Sequence, residues 1–316
     1  MGGDFRLAGA PITWGVCEVP GWGEQLPADR VLGEMSSLGL VALEVGPVGY
    51  LGTSPEAIKT QAEAFGMCVV GGFVPLVLHR TDAWDETEKE AHSVAARYAA
   101  AGATNFITAV VKDSQWGNPE PLSEDEWQHM AWALSRVDAI CSLYGMTQTV
   151  HPHVGTLVET KKDVEEVLGR TKVKFCLDTG HLSIGGIDCV AFVRQHHERI
   201  ANVHLKDVHL EMSPAVLDRS LSLLDATRNG LFCCLGDGDI PIANIVRELQ
   251  VHGYDGWYVL EQDTTINSPV DSDLPLEAAA RSIAYLEREL GIQIQAQESP
   301  HSDARKTPQI KKVTTK

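Results

Sequence analysis

Imidazole and carboxylate side chains follow short apolar runs at four places in the second half of the chain. Successive runs lead into His151 and His153, into Asp178, into His204 and into Glu261. Mixed carboxylate and imidazole ligands suit a divalent cation that must keep positions open for substrate oxygens. Each residue alone could simply cap a loop. Three on successive runs, however, predict that Asp178, His204 and Glu261 bind a metal ion, and that His151 or His153 could complete the site.

Two further charged residues have positions suited to acid–base or electrostatic catalysis. Lys206 follows His204 by two residues, so both side chains leave the same face of a strand. A cation there could stabilise an enolate or, with a lowered pKa, transfer protons. An ion pair of Lys206 with Asp207 or another acidic residue is the alternative. Glu44 ends another apolar run and could hold substrate hydroxyls or act as a base, against a purely structural role.

Substrate contacts are predicted near the N-terminus and after Asp178. The run from Ala10 to Trp14 leads into Glu18, and an aromatic ring at a strand end can form an apolar wall for a sugar ring. Trp14 and Glu18 are therefore predicted to bind substrate, with core packing as the alternative for Trp14. His181, three residues after Asp178, is predicted to bind substrate as well.

The segments that carry these residues alternate between two patterns. Short runs rich in β-branched residues are followed by longer segments of helical period, which is typical of βαβ units around a parallel sheet. The predicted helices include residues 28–38, 86–101, 124–144, 161–168 and 242–252. The predicted strands span residues 7–14, 42–45, 68–74, 105–110, 147–151, 174–177, 200–205 and 257–260.

Eight strand–helix units in one chain of this length favour a closed (β/α)8 TIM barrel over an open sheet, and no glycine-rich dinucleotide loop follows the first strand. Helix ends are marked by a glycine that leads into the next strand, as at Gly39 and Gly102. We predict one catalytic domain over residues 1–290, with a long loop insertion after strand seven at 208–235. A disordered polar tail is predicted over residues 291–316.

Composition excludes several classes of protein. The chain has 26 basic and 43 acidic residues, a formal charge of −17, which would repel nucleic acid. The seven cysteines have no CxxC spacing, so neither a disulfide framework nor a zinc knuckle is indicated. With no long apolar stretch and no secretory signal pattern, we expect a cytoplasmic protein without a membrane partner. A homo-oligomer is left open.

At these residues the sequence resembles the inosose dehydratases (2-keto-myo-inositol dehydratases) of the xylose isomerase-like superfamily. The likeness runs from about residue 10 to residue 290. No single segment is decisive, but the order and spacing of the segments together are specific. It rests on segments at residues 10–14, 44–46, 125–127, 151–156, 177–181, 203–207, 236–238 and 256–261.

This resemblance implies a TIM barrel that removes water from an inosose. It also implies a divalent metal, manganese or cobalt first and magnesium or zinc as alternatives, and it assigns the metal to Asp178, His204 and Glu261. Many superfamily members place a glutamate ligand on strand five, where this chain has Thr149. That departure leaves the fourth ligand open.

For a β-hydroxy ketone the difficult step is removal of the proton next to the carbonyl, which a metal on that oxygen makes easier. We hypothesise that His151 or Lys206 moves this proton and that His153 or a water protonates the leaving hydroxyl. The substrate would be a small polyol or keto-sugar.

Three other functions stay open at this point. A sugar isomerase or 3-epimerase on the same scaffold would also pass through an enediolate. A non-catalytic carbohydrate-binding barrel would bind polyols without changing them. An endonuclease barrel with a metal cluster is disfavoured by the negative charge and by the shortage of further ligands.

Overall fold

The computed structural model describes residues 5–294, in which eight parallel strands close into a barrel. Each strand pairs with its neighbour in the chain, and the eighth pairs with the first, so the predicted (β/α)8 barrel is confirmed. Its strands are β1 (Leu7–Gly9), β2 (Ala42–Glu44), β3 (Cys68–Leu76), β4 (Asn105–Val110), β5 (Thr147–Val150), β6 (Lys174–Asp178), β7 (Ile200–Leu205) and, eighth in the barrel, β10 (Tyr258–Leu260).

Helices connect these strands and cover the outside of the barrel. Their apolar sides pack on the strands, as with the buried Val31, Leu32 and Met35 of the first helix. The helix ends behave as predicted, since Gly39 (φ 82°) and Gly102 (φ 99°) have the left-handed backbone that a helix C-cap requires. The helices are α1 (Ala28–Ser37), α2 (Pro55–Ala64), α3 (Trp84–Ala100), α4 (Glu124–Leu143), α5 (Lys161–Arg170), α6 (Thr179–Ile184), α7 (Cys189–His196), α8 (Ser213–Leu217), α9 (Leu223–Arg228), α10 (Ile242–Val251) and α11 (Leu274–Leu290).

The insertion after β7 has secondary structure of its own. Strand β8 (Asp207–Val208) pairs antiparallel with β9 (Phe232–Cys233), and helices α8 and α9 lie between them in the chain. Arg219, in this insertion, donates a hydrogen bond to Glu159 at 2.6 Å. Glu159 belongs to the loop after β5, so the insertion is tied to the loop that follows His151 and His153.

The predicted first strand, residues 7–14, is longer than the strand in the structure. Strand β1 ends at Gly9, and Pro11–Trp14 form a 3-10 turn closed by Gly15 with φ 75°. Proline has no N–H to donate to a ladder and favours the first turn of a helix, which explains the early end of the strand.

Trp14 consequently turns into the hydrophobic core. Its side chain is fully buried, and its indole N–H donates to Glu34 on α1 at 2.8 Å. The predicted substrate wall is therefore not at Trp14, whose surroundings are those of the core-packing alternative. Glu18, four residues later, is exposed.

The described part of the chain ends shortly after its last helix. Helix α11 ends at Leu290, and Gly291 caps it with φ 67°. The rest of the predicted disordered tail, residues 295–316, lies outside the described residues. Over residues 5–294, no helix is both long and apolar enough to cross a membrane.

Candidate active site at the carboxyl ends of the strands

The carboxyl ends of β6, β7 and β10 bring the three predicted metal ligands together. Asp178 ends β6 directly opposite His204 of β7, and Glu261 follows the last residue of β10. The Nδ1 atom of His204 lies 2.7 Å from Glu261 Oε2 and 3.6 Å from Asp178 Oδ2. All three side chains are buried. The strands therefore converge on one point at the rim, as parallel strands of a barrel must.

His151, from the end of β5, faces the same point. Its Nε2 atom lies 3.2 Å from His204 Nδ1 and 3.4 Å from Asp178 Oδ2. Thr149, two residues earlier on the same face, is fully buried and its hydroxyl has no hydrogen-bond partner among the described residues. We call His151, Asp178, His204 and Glu261 the first cluster.

Two observations show that the first cluster fits a divalent cation. Asp178 Oδ2 is buried yet has no hydrogen-bond partner among the described residues, although three nitrogen atoms lie within 3.6 Å of it. Three buried carboxylates, those of Asp178, Glu261 and Asp263, share one ammonium group, and a fourth, that of Glu44, contacts His204. An excess of buried negative charge is costly unless it is neutralised, and a divalent ion would do so.

The shared ammonium group is that of Lys206. Its Nζ atom lies 3.3 Å from Asp178, 2.7 Å from Glu261 and 2.8 Å from Asp263. Burial alone would lower the pKa of Lys206, but these carboxylates outweigh burial and raise the pKa well above its usual value. Lys206 thus keeps its proton and its positive charge. A role in which Lys206 accepts a proton from the substrate does not suit this environment.

The ion pair predicted as the alternative for Lys206 is made with other acidic residues and not with Asp207. Asp207 accepts hydrogen bonds from the backbone N–H groups of Gly236, Gly238 and Ile240, between 2.8 and 3.2 Å. Its carboxylate thereby fixes the turn that leads into α10. Successive strand residues point to opposite sides, which separates Asp207 from Lys206.

A second group of histidines and one carboxylate lies on the other side of Lys206. His153, His181 and Asp263 have potential ligand atoms within 4.8 Å of one another, and we call them the second cluster. The rings of His153 and His181 are 3.8 Å apart, and His181 Nε2 lies 3.1 Å from Lys206 Nζ. Burial, together with the charges of His151 and Lys206, lowers the pKa of His153 to about 3, so His153 is neutral near pH 7.

Asp263 is the member of the second cluster that the sequence interpretation missed. It follows Glu261 by two residues, the same spacing that indicated Lys206, so the signal was present in the sequence. Its side chain is only 6 % exposed, and burial raises its pKa to about 6 despite the nearby Lys206.

Glu44 supports His204 instead of facing the open mouth. Its Oε1 atom lies 2.9 Å from His204 Nε2 and 3.3 Å from the amide nitrogen of Asn202. An Nε2–H donated to Glu44 leaves Nδ1 of His204 free to bind a metal, an arrangement common among metal-ligating histidines. These contacts suit a positioning role, and the role of Glu44 in holding substrate hydroxyls or acting as a base stays a prediction.

Comparison with known proteins identifies relatives over most of the chain. The model of the family described as "Xylose isomerase-like TIM barrel" matches residues 33–289. A curated relative, an inosose dehydratase of Geobacillus kaustophilus, is 30% identical over 279 residues, which cover 84% of this chain and 90% of the relative.

Solved structures share the fold at low sequence identity. A D-allulose 3-epimerase from Methylomonas sp. in complex with D-allulose has a TM-score of 0.67 at 13% identity, covering 91% of this chain and 98% of that one. The IolI protein, solved with a bound zinc atom, has a TM-score of 0.66 at 15% identity, covering 91% of this chain and 98% of that one. At such identities these similarities establish the barrel fold alone.

Proposed function

Since the chain belongs to the inosose dehydratases of the xylose isomerase-like TIM barrel family, we propose that it is a metal-dependent lyase that removes water from an inosose or a similar polyhydroxy ketone. The observation that supports this most strongly is the first cluster. It brings together two carboxylates and two imidazoles next to the ammonium group of Lys206, and the buried Oδ2 atom of Asp178 has no hydrogen-bond partner among the described residues.

Asp178, His204 and Glu261 would hold the divalent ion, and His151 would be the fourth ligand because its Nε2 atom faces the same point. When bound there, the ion polarises the ketone oxygen and so makes the neighbouring C–H bond more acidic. A ligand set of two imidazole nitrogens and two carboxylates suits manganese or cobalt. Zinc fits such a set as well, and magnesium, which prefers oxygen ligands, fits it less well.

His153 is the residue best placed to move the proton. Lys206 has no free electron pair to accept one, and His151 points its Nε2 atom at the ligands of the first cluster. A neutral imidazole at His153 can take the proton from the carbon next to the ketone and then give it to the departing hydroxyl, which leaves as water. One proton is taken and one is returned, so His153 ends the reaction as it began. The Lys206 ammonium stabilises the negative charge that develops on the substrate in between.

Sugar isomerisation or 3-epimerisation remains the competing proposal. The dehydratase relative covers most of both chains at 30% identity, whereas the epimerase likeness rests on fold at 13% identity. His181 in the second cluster is proposed to bind substrate hydroxyls, and exposed Glu18 is proposed to contact substrate at the rim. A cytoplasmic location and a homo-oligomeric state stay predictions from the sequence.

Product analysis tests the proposal. Purified protein loaded with Mn²⁺ or Co²⁺ is incubated with scyllo-inosose and, separately, with a set of ketoses, and the products are followed by mass and ultraviolet absorbance. We expect a product lighter by one water with scyllo-inosose, and loss of that product after chelation. A product of unchanged mass from a ketose, with scyllo-inosose left intact, would establish the isomerase or epimerase instead.

A further inference from the structure

Two aromatic rings stand beside the second cluster, on elements that carry none of its residues. Phe73 lies on β3 and Trp116 lies in the loop after β4. Their rings are stacked, with centroids 5.8 Å apart and planes inclined by 15°. Both side chains are half-buried, so they keep an accessible part, in contrast to the fully buried Trp14.

The pair contacts the histidines that face the proposed substrate position. The ring of Phe73 lies 5.6 Å from that of His151 and 5.8 Å from that of His153. The indole of Trp116 lies 6.2 Å from His153 in a T-shaped arrangement. A molecule bound against His153 would therefore meet an aromatic surface on this side of the mouth.

The backbone of the β4 loop is shaped to present Trp116. Its φ of 56° is in the left-handed region, which is uncommon for a bulky residue. Asp113 holds this turn, because its Oδ1 atom accepts the backbone N–H groups of Gln115 at 2.8 Å and Gly117 at 3.1 Å. A Cβ atom at Gly117 would come within 2.6 Å of the Asp113 carboxylate, so a side chain there would displace the group that holds the turn. The loop maintains a strained conformation at the tryptophan, as expected where a side chain has a task.

We infer that Phe73 and Trp116 form an aromatic wall on which one face of the substrate's carbon ring stacks, and that this wall selects cyclic polyols over open-chain sugars. In a cyclohexane ring with equatorial hydroxyls, the axial C–H bonds make each face apolar while the edge stays polar. The aromatic wall contacts one such face, the carboxylates contact the hydroxyls at the edge, and an axial C–H bond next to the ketone points toward His153. An open-chain ketose has no continuous apolar face and gains less from the wall.

The aromatic wall has the role that was first predicted for Trp14. Its assignment rests on the proposed function in so far as the ring is that of an inosose. Stacking acts on binding, since the aromatic wall touches neither the departing hydroxyl nor the carbon that loses its proton. The wall therefore contributes to KM and to the choice of substrate more than to kcat.

A binding assay without turnover tests the aromatic wall by itself. Metal-loaded full-length protein is titrated with scyllo-inositol, an unreactive ring with all hydroxyls equatorial, and with sorbitol, an open chain, while tryptophan emission is recorded. The chain has seven tryptophans, so Trp116→Phe is compared with Trp132→Phe, a change at a 45% exposed residue on the outer helix α4. We expect scyllo-inositol to alter the emission of the wild type and of Trp132→Phe and to leave that of Trp116→Phe unaltered, with a weaker effect of sorbitol. An equal change in Trp116→Phe, or none in the wild type, overturns the inference.

Kinetics provide the second arm. For scyllo-inosose we expect Trp116→Ala to raise KM about five- to tenfold with kcat within about twofold, and Trp116→Phe to stay near the wild type, as for loss and retention of one aromatic contact. Unfolding midpoints confirm that the variants are folded. An unchanged KM in Trp116→Ala contradicts the aromatic wall. If the wild type turns over no ketone, the proposed function fails, while the emission assay still decides on the wall.

Discussion

The first and second clusters are built from the same kinds of side chain but differ in charge balance. In the second cluster, Asp263 and His181 lie 2.8 and 3.1 Å from the Lys206 ammonium, which already supplies a positive charge. In the first cluster, Lys206 is shared between Asp178 and Glu261, and the Asp178 Oδ2 atom has no hydrogen bond within the described part of the chain. Under the proposed function, similar residues at similar spacing bind a metal ion on one side of the lysine and transfer a proton on the other.

The largest expected effect comes from Asp178→Asn, which keeps the shape of the first cluster and removes a negative charge. We expect bound metal to be lost and turnover to fall by about a thousandfold, the effect of losing several kcal/mol of stabilisation. Metal analysis and product formation measure the two effects. A folded variant with full metal content and full turnover would show that the first cluster is not the metal site.

The matched change in the second cluster is His153→Gln. We expect kcat to fall by about a hundredfold or more, as for removal of a general acid–base group, while the metal content stays that of the wild type. Metal loss in this variant, with Asp178→Asn still loaded, would reverse the assignment of the two clusters.

Glu44→Gln tests whether Glu44 supports the first cluster by orienting His204. The change weakens the hydrogen bond that orients His204, and we expect metal affinity to fall about 10- to 100-fold, with activity restored at high metal concentration. Titration with Co²⁺, followed by its visible absorption, measures affinity without turnover. If kcat stays low at saturating metal while affinity is unchanged, Glu44 takes part in the chemistry, as the sequence first indicated.

The smallest effect is expected from Arg219→Ala, which unties the insertion from the loop that carries His153. Glu159, whose side chain is only 8% exposed, would lose its ionic partner, at a cost of about 1–3 kcal/mol in the free energy of unfolding. We expect kcat to fall about a few-fold with metal affinity unchanged, since Glu159 lies beyond His153 in the loop, and Val154 of the same loop contacts His181 of the second cluster. Arg281→Ala, at an exposed ion pair with Asp237, is the control.

The sequence predicted those features that depend on periodicity along a single element. The bounds of β4 and β7 agree with the structure, and the positions at strand ends placed Asp178, His204 and Glu261 at one rim. Asp263 could have been found with the same two-residue rule that indicated Lys206.

Contacts between distant segments could not be predicted in this way. Glu44 contacts His204, which lies 160 residues further along the chain. Phe73 on β3 contacts Trp116 in the loop after β4. No local pattern specifies such pairs, because barrel closure and loop packing decide them. Trp14 was misassigned for a related reason, since a proline three residues earlier turns the chain into the core.

The central claim, that the cation binds in the first cluster, is tested most directly by anomalous diffraction from crystals of the full chain soaked in Mn²⁺. We predict one peak at coordination distance, about 2.0–2.3 Å, from Asp178, His204, Glu261 and His151. A peak between His153, His181 and Asp263, or no peak at the rim, would contradict it.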